Sequence, residues 1–146
     1  MKRKVFVDTN VLISGIFFKG NESKLLSMSN IDLITSDVVV EELKEVVRRK
    51  LKSFKTENLK IALEEIDLAL KDFTKIVKEE EYRRELKRTL KLISNKKDAK
   101  ILAAALIVKA DYLVTGDEDF FIPEVKKVIN IKRTKEVLED LKKILK

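Results

Sequence analysis

Short continuous apolar runs, rich in β-branched residues, alternate along this chain with longer segments of helical period. That alternation does most to narrow the fold. Val5-Phe6-Val7, Ile31-Asp32-Leu33-Ile34-Thr35 and Tyr112-Leu113-Val114-Thr115 read as strands, and Val128-Ile129-Asn130-Ile131 as a last one. Continuous apolar character marks strands buried on both faces, as parallel sheets require. Thr74-Lys75-Ile76-Val77 reads as a short edge strand. Between these runs lie helical segments: Thr9 to Phe18, Glu22 to Ser29, one capped by Ser36 or Asp37 and running to about Leu51, residues 56–72, residues 79–93, and one from Asp98 to about Lys109. Thr134 is expected to cap a final amphipathic helix. Strands alternating with helices predict βαβ units, hence an α/β fold with a parallel sheet covered on both faces. The 146 residues carry no linker or repeat and are expected to form a single domain, 1–146.

The chain has neither His nor Cys. Imidazole bases, thiolate nucleophiles and zinc sites built on nitrogen or sulfur are therefore excluded. Charged residues make up 39% of the chain, an excess of the kind seen in hyperthermophile proteins, so a heat-resistant protein is expected. The formal charge of +7 permits contact with nucleic acid, though a solvated Lys-rich surface explains it equally well. After Met1-Lys2-Arg3-Lys4 the apolar stretch is too short for a signal peptide and contains Asp8. No apolar run approaches the roughly 20 residues of a membrane span. A cytoplasmic protein is the expectation.

In open parallel sheets the functional crevice lies beyond the carboxyl ends of the strands, where the topology reverses. Two acids close strands here: Asp8 after Val7, and Asp117 after Thr115-Gly116. Asp8, Thr9 and Asn10 are all helix-capping types. The same placement suits Asp8 as a metal ligand, with Thr9 and Asn10 supporting it or the turn. Glu41 and Glu42 are neighbours on one helix, whose apolar face holds Val39, Val40, Leu43, Val46 and Val47. At about 100° per residue Glu41 points away from that face and Glu42 falls on its edge. Glu42 is therefore the candidate and Glu41 is solvated surface. Asp98 precedes an Ala-rich apolar helix, where it serves as a cap, a ligand, or both. In Thr115-Gly116-Asp117-Glu118-Asp119-Phe120 the acids are again either turn formers or ligands. Thr115 offers its hydroxyl, and Asp119 is a candidate for a second metal through water. Phe17, Phe18 and Phe120 are expected to pack.

Together these residues resemble the PIN-domain family of nucleases. The likeness rests on Val5-Phe6-Val7-Asp8-Thr9-Asn10-Val11-Leu12, on Glu42-Leu43, on Asp98 with its Ala-rich helix, and on Thr115-Gly116-Asp117-Glu118-Asp119-Phe120, in the family's order. The resemblance implies a three-layer α/β/α sandwich with a central, mostly parallel sheet of about five strands. It implies a Mg²⁺ or Mn²⁺ site formed by Asp8, Glu42, Asp98 and Asp117, and cleavage of RNA phosphodiesters. Many small members are VapC-type toxins with an antitoxin encoded beside them, and members often pair, so an antitoxin and a homodimer are implied as partners. Members often carry extra acids just before the third one, where this chain has Lys96 and Lys97.

A polyanionic substrate at an acidic site needs cations around it. Arg48 and Arg49, ending the Glu42 helix, and Lys96 and Lys97, beside Asp98, are the candidate contacts to single-stranded or structured RNA. Other chemistries on such sheets fit less well. Asn10 stands where a phosphotransfer enzyme of the haloacid dehalogenase type would carry a second Asp, and no Gly-rich phosphate loop is present. A housekeeping RNA-processing nuclease, or an inactive scaffold that binds RNA or protein, are the alternatives.

Overall fold

In the computed structural model, which describes residues 2–52 and 56–144, the expected strands form one five-stranded sheet. β1 (Arg3–Val7) leads through α1 (Thr9–Phe17) and α2 (Asn21–Leu26) to β2 (Ile31–Ser36). α3 (Asp37–Lys50) and α4 (Thr56–Phe73) follow, then the short edge strand β3 (Lys75–Val77). α5 (Glu79–Leu92) and α6 (Lys96–Ile107) return the chain to β4 (Tyr112–Val114). A 3₁₀ turn (Glu118–Phe120) and α7 (Pro123–Lys126) lead to β5 (Ile131–Lys132) and the last described helix, α8 (Thr134–Ile144).

The order across the sheet is β3-β2-β1-β4-β5, and all four pairings are parallel. β1 is central: Val5 lies between Leu33 and Tyr112, and Val5, Phe6 and Val7 are fully buried. Right-handed crossovers place the helices joining β1 to β2 to β3 on one face, and α5 and α6, which cross back to β4, on the other. Accordingly α1 packs on α2 and α3, and α5 packs along α6. Ala99, Ala103, Ala104 and Ala105 are all fully buried, so α6 sits close against its neighbours. No described helix is long and apolar enough to cross a membrane.

Four local expectations are corrected. α6 starts at Lys96, not Asp98, because the Asn95 side chain accepts from the Asp98 N–H and caps the helix one turn earlier. The last strand covers Ile131–Lys132, not Val128–Ile131, because Val128 and Ile129 donate their N–H groups back to Val125 and close α7. Arg133, not Thr134, stands ahead of α8, with its N–H donated to the Glu136 carboxylate. Phe120 is buried as expected, but Phe17 and Phe18 are 51% and 67% exposed, since α1 ends there.

Candidate active site

The chain leaves β1 toward β2 on one side and β4 toward β5 on the other, so the topology reverses between β1 and β4. The carboxyl ends of these strands therefore flank the crevice. Asp8 follows β1 and its backbone N–H continues the ladder to Val114 at 3.0 Å. One carboxylate oxygen of Asp8 accepts from the Thr9 N–H at 2.7 Å, capping α1, and the other accepts from the Thr115 hydroxyl at 2.6 Å. Thr115 Oγ1 in turn accepts from the Asp117 N–H at 3.0 Å, and the Asp117 carboxylate accepts from the Asp119 N–H at 3.0 Å. One chain of hydrogen bonds thus runs from the end of β1 to the 3₁₀ turn. Asn10 extends it, its side-chain oxygen accepting from Gly116 N–H at 3.4 Å. A Cβ at Gly116 would lie 3.1 Å from Asn10 Nδ2, so this close approach favours glycine.

Asp98 faces that turn from the first turn of α6. Asp98, Asp117 and Asp119 each offer a carboxylate oxygen, and these atoms all lie within 4.8 Å of one another. Burial is graded across the site: Asp8 and Asp98 are 5% and 8% exposed, Asp117 is half-buried and Asp119 is exposed. The electrostatics follow. Burial, together with the negative charges of Asp117, Asp8, Asp119 and Glu42, pushes the Asp98 carboxyl up to about 6. Burial likewise raises Asp8, against the lowering effect of its bonds from Thr115 and Thr9.

The sequence pattern of the PIN domain matches residues 4–119, most of the chain and every acid of this cluster. The chain belongs to the PIN-domain family. No curated protein matches its sequence. Among solved structures, this PIN domain is similar to a chain of VapBC2 from Rickettsia felis bound to a DNA fragment from its promoter, at 23% identity and a TM-score of 0.62 over 89% of this chain and 98% of that one. A chain of FitAcB from Neisseria gonorrhoeae gives 17% identity and a TM-score of 0.67, covering 89% and 97%. One from a toxin–antitoxin complex of Klebsiella pneumoniae gives 18% and 0.61, covering 89% and 97%.

Within this PIN domain the residues singled out in the sequence stand at different distances from the site. Asp98, Asp117 and Asp119 are the tightest cluster, and Asp8 adjoins it. Glu42 also acts on Asp98 electrostatically, but its carboxylate accepts from the Lys97 ammonium at 3.0 Å. Glu41 is exposed and Glu42 half-buried, in line with the helix geometry. Lys96 is exposed beside the site in the first turn of α6. Arg48 and Arg49 are exposed but lie six and seven residues beyond Glu42, roughly 9–10 Å farther along the helix axis at 1.5 Å per residue. The structure does not bring them to the acids. Thr9 is buried, and its hydroxyl has no hydrogen-bond partner among the described residues.

Hard carboxylate oxygens at this spacing suit Mg²⁺ or Mn²⁺, which prefer oxygen ligands. Asp119 enters the tight cluster because the 3₁₀ turn brings it to the same side as Asp117. Spacing two residues apart was the only sequence sign of this. Arg133 gave no sign at all, yet its guanidinium contacts the Gly116 carbonyl and the Glu118 carboxylate on either side of Asp117.

Proposed function

We propose that this PIN domain is a Mg²⁺- or Mn²⁺-dependent ribonuclease acting as the toxin of a toxin–antitoxin pair. The observation that supports it most is the convergence of Asp98, Asp117 and Asp119 beside buried Asp8 at the switch point of the sheet. These carboxylates, with Glu42 at the margin, would hold the cation. A bound divalent ion supplies charge to stabilise a phosphodiester transition state and acidifies water at the site. Asp8 keeps its orientation through Thr9 N–H and Thr115 Oγ1, so its carboxylate presents a fixed acceptor at the floor of the crevice. Thr115 and Asn10 hold the Asp117 turn against β1. In a chain without His, carboxylates are the groups left to accept a proton near neutral pH. Lys96 and Lys97 would meet the RNA backbone at the mouth, and Arg48 and Arg49 would meet a longer strand farther along α3.

A toxin–antitoxin complex among the similar folds supports the pairing with an antitoxin. The apolar side chains of Ile61, Leu68, Phe73 and Leu90 are exposed on α4 and α5, which supports a homodimer. The test is cleavage of a fluorescent single-stranded RNA in Mg²⁺ or Mn²⁺, with EDTA as control. Cleavage that continues in EDTA would sink the metal-dependent reading. An antitoxin-like frame beside the gene, whose product blocks cleavage, separates a toxin from a housekeeping nuclease. Light scattering at high concentration should show twice the 16.9 kDa of the chain.

A further inference from the structure

Two of the three clustered carboxylates, Asp117 and Asp119, stand on one short turn. That turn is a single 3₁₀ element, Glu118–Phe120, whose hydrogen-bond geometry is intrinsically poor. Its two acids also face Asp98 at a distance where like charges repel, which works against the turn's position. Buried Phe120 anchors its far end. Thr115 and Asn10 hold its near end against β1, and a further grip comes from beyond β5. Arg133 follows β5 at the carboxyl end of the sheet. Its guanidinium reaches the Gly116 carbonyl at 3.5 Å, pairs with the Glu118 carboxylate, and stacks 4.5 Å from the centre of the Phe121 ring. These three contacts bracket both acids: Gly116 and Glu118 flank Asp117, and Glu118 and Phe121 lie on either side of Asp119. A planar fork that both donates and stacks is particular to arginine; lysine offers a point charge. The backbone N–H of Arg133 is donated to Glu136, so the base of this strap is fixed at the start of α8.

We infer that Arg133 is a positioning residue for the cation site, holding the 116–121 turn so that Asp117 and Asp119 stay directed at Asp98. The inference rests on the metal-dependent reading above. It makes a prediction opposite in sign to that of charge alone. Arg133 is a cation near a site for cations, so by Coulomb's law its removal should tighten binding of a divalent ion. Loss of positioning should weaken it.

The experiment is calorimetric titration of the metal-free protein with Mn²⁺, comparing wild type, Arg133→Ala and Arg133→Lys, alongside their melting midpoints. Arg133→Ala should bind Mn²⁺ at least tenfold more weakly. Arg133→Lys, which keeps the charge, should fall in between. RNA cleavage by either variant should recover as Mn²⁺ is raised. Mn²⁺ affinity equal to or tighter than wild type in folded Arg133→Ala would overturn the inference while leaving the metal site intact. If that variant does not fold, wild-type affinity in Arg133→Lys overturns it. Wild type that binds no Mn²⁺ would instead remove the metal-dependent reading, and this inference with it.

Discussion

The Thr115 hydroxyl donates to the Asp8 carboxylate at 2.6 Å although 107 residues separate them. The bond joins the ends of β1 and β4, and the same Thr115 oxygen accepts from Asp117 N–H. Asp8 and the Asp117 turn are therefore one unit. A change at Asp8 that keeps its size and its capping oxygen should leave this unit folded, so its effects should be mainly chemical.

Asp8→Asn should abolish RNA cleavage without unfolding the protein. Asparagine retains an oxygen to accept from Thr9 N–H and so still caps α1. Burial raises the Asp8 carboxyl, which means the charged form is disfavoured in the folded protein. The amide also puts a donor where the Thr115 hydroxyl donates, so that hydroxyl must turn, and this loss offsets the relief of the buried charge. The melting point of the metal-free protein should change little. Activity should fall by about a thousandfold or more, equivalent to roughly 4 kcal/mol of transition-state stabilisation. An equally active variant in the RNA assay would remove Asp8 from the site.

The metal-free protein should lose stability as pH rises from about 4 to about 6, insofar as Asp98 governs it. Its carboxyl is raised from 3.8 to about 6, so in that window the folded state binds more protons than the unfolded state. The stabilising contribution is complete below about 4 and gone above about 6. Asp98→Asn has no such proton to lose, and the difference in melting midpoint between it and wild type across this window isolates the effect. Mn²⁺ must displace the same proton, so its affinity for wild type should drop below pH 6. A difference that stays flat with pH would refute the assignment.

Lys97→Ala should act on RNA and on metal in opposite directions. The ion pair with Glu42 is exposed and contributes at most about 1 kcal/mol, so the melting point should barely move. RNA binding should weaken, with a salt dependence shallower by about one ion. Mn²⁺ binding should tighten, because Glu42 is released and a positive charge is gone. Lys96→Ala should show the RNA effect with a smaller gain in Mn²⁺ affinity, because the exposed Lys96 contributes only a screened charge. Filter binding across salt concentrations and Mn²⁺ titration read the two separately, and unchanged Mn²⁺ affinity in Lys97→Ala would show that the pair does not restrain Glu42.

Asp37→Ala should destabilise the fold and spare the site. Asp37 accepts from the hydroxyl of fully buried Tyr82 and from Glu79 N–H, both at 2.9 Å, so it ties the start of α3 to the start of α5. Removing it leaves these donors unpaired, at a cost on the order of 1–3 kcal/mol. The melting midpoint should drop by several degrees, while Mn²⁺ affinity stays within about twofold. Tyr82→Phe should cost less, because it removes only one donor.

Local pattern sufficed for much of this PIN domain. The runs at 5–7 and 112–115, and 31–35 broken only by exposed Asp32, mark buried parallel strands because a strand covered on both faces must be largely apolar on both. The 3.6-residue period separated Glu42 from Glu41 on the same helix, and the strand-to-helix turn placed Asp8. Each of these depends on neighbours a few residues apart. What the sequence could not show were relations across long stretches of chain: Thr115 bonded to Asp8, Lys97 claiming the Glu42 carboxylate, Arg133 bracketing the Asp117 turn, Asp119 inside the tight cluster rather than at its margin. Even the start of α6 depended on Asn95 outcompeting Asp98 as the cap, two residue types that local rules rank alike. Strand order decides which ends of the chain meet, and the order β3-β2-β1-β4-β5 arises from how crossovers pack on the sheet, not from any residue's own preference.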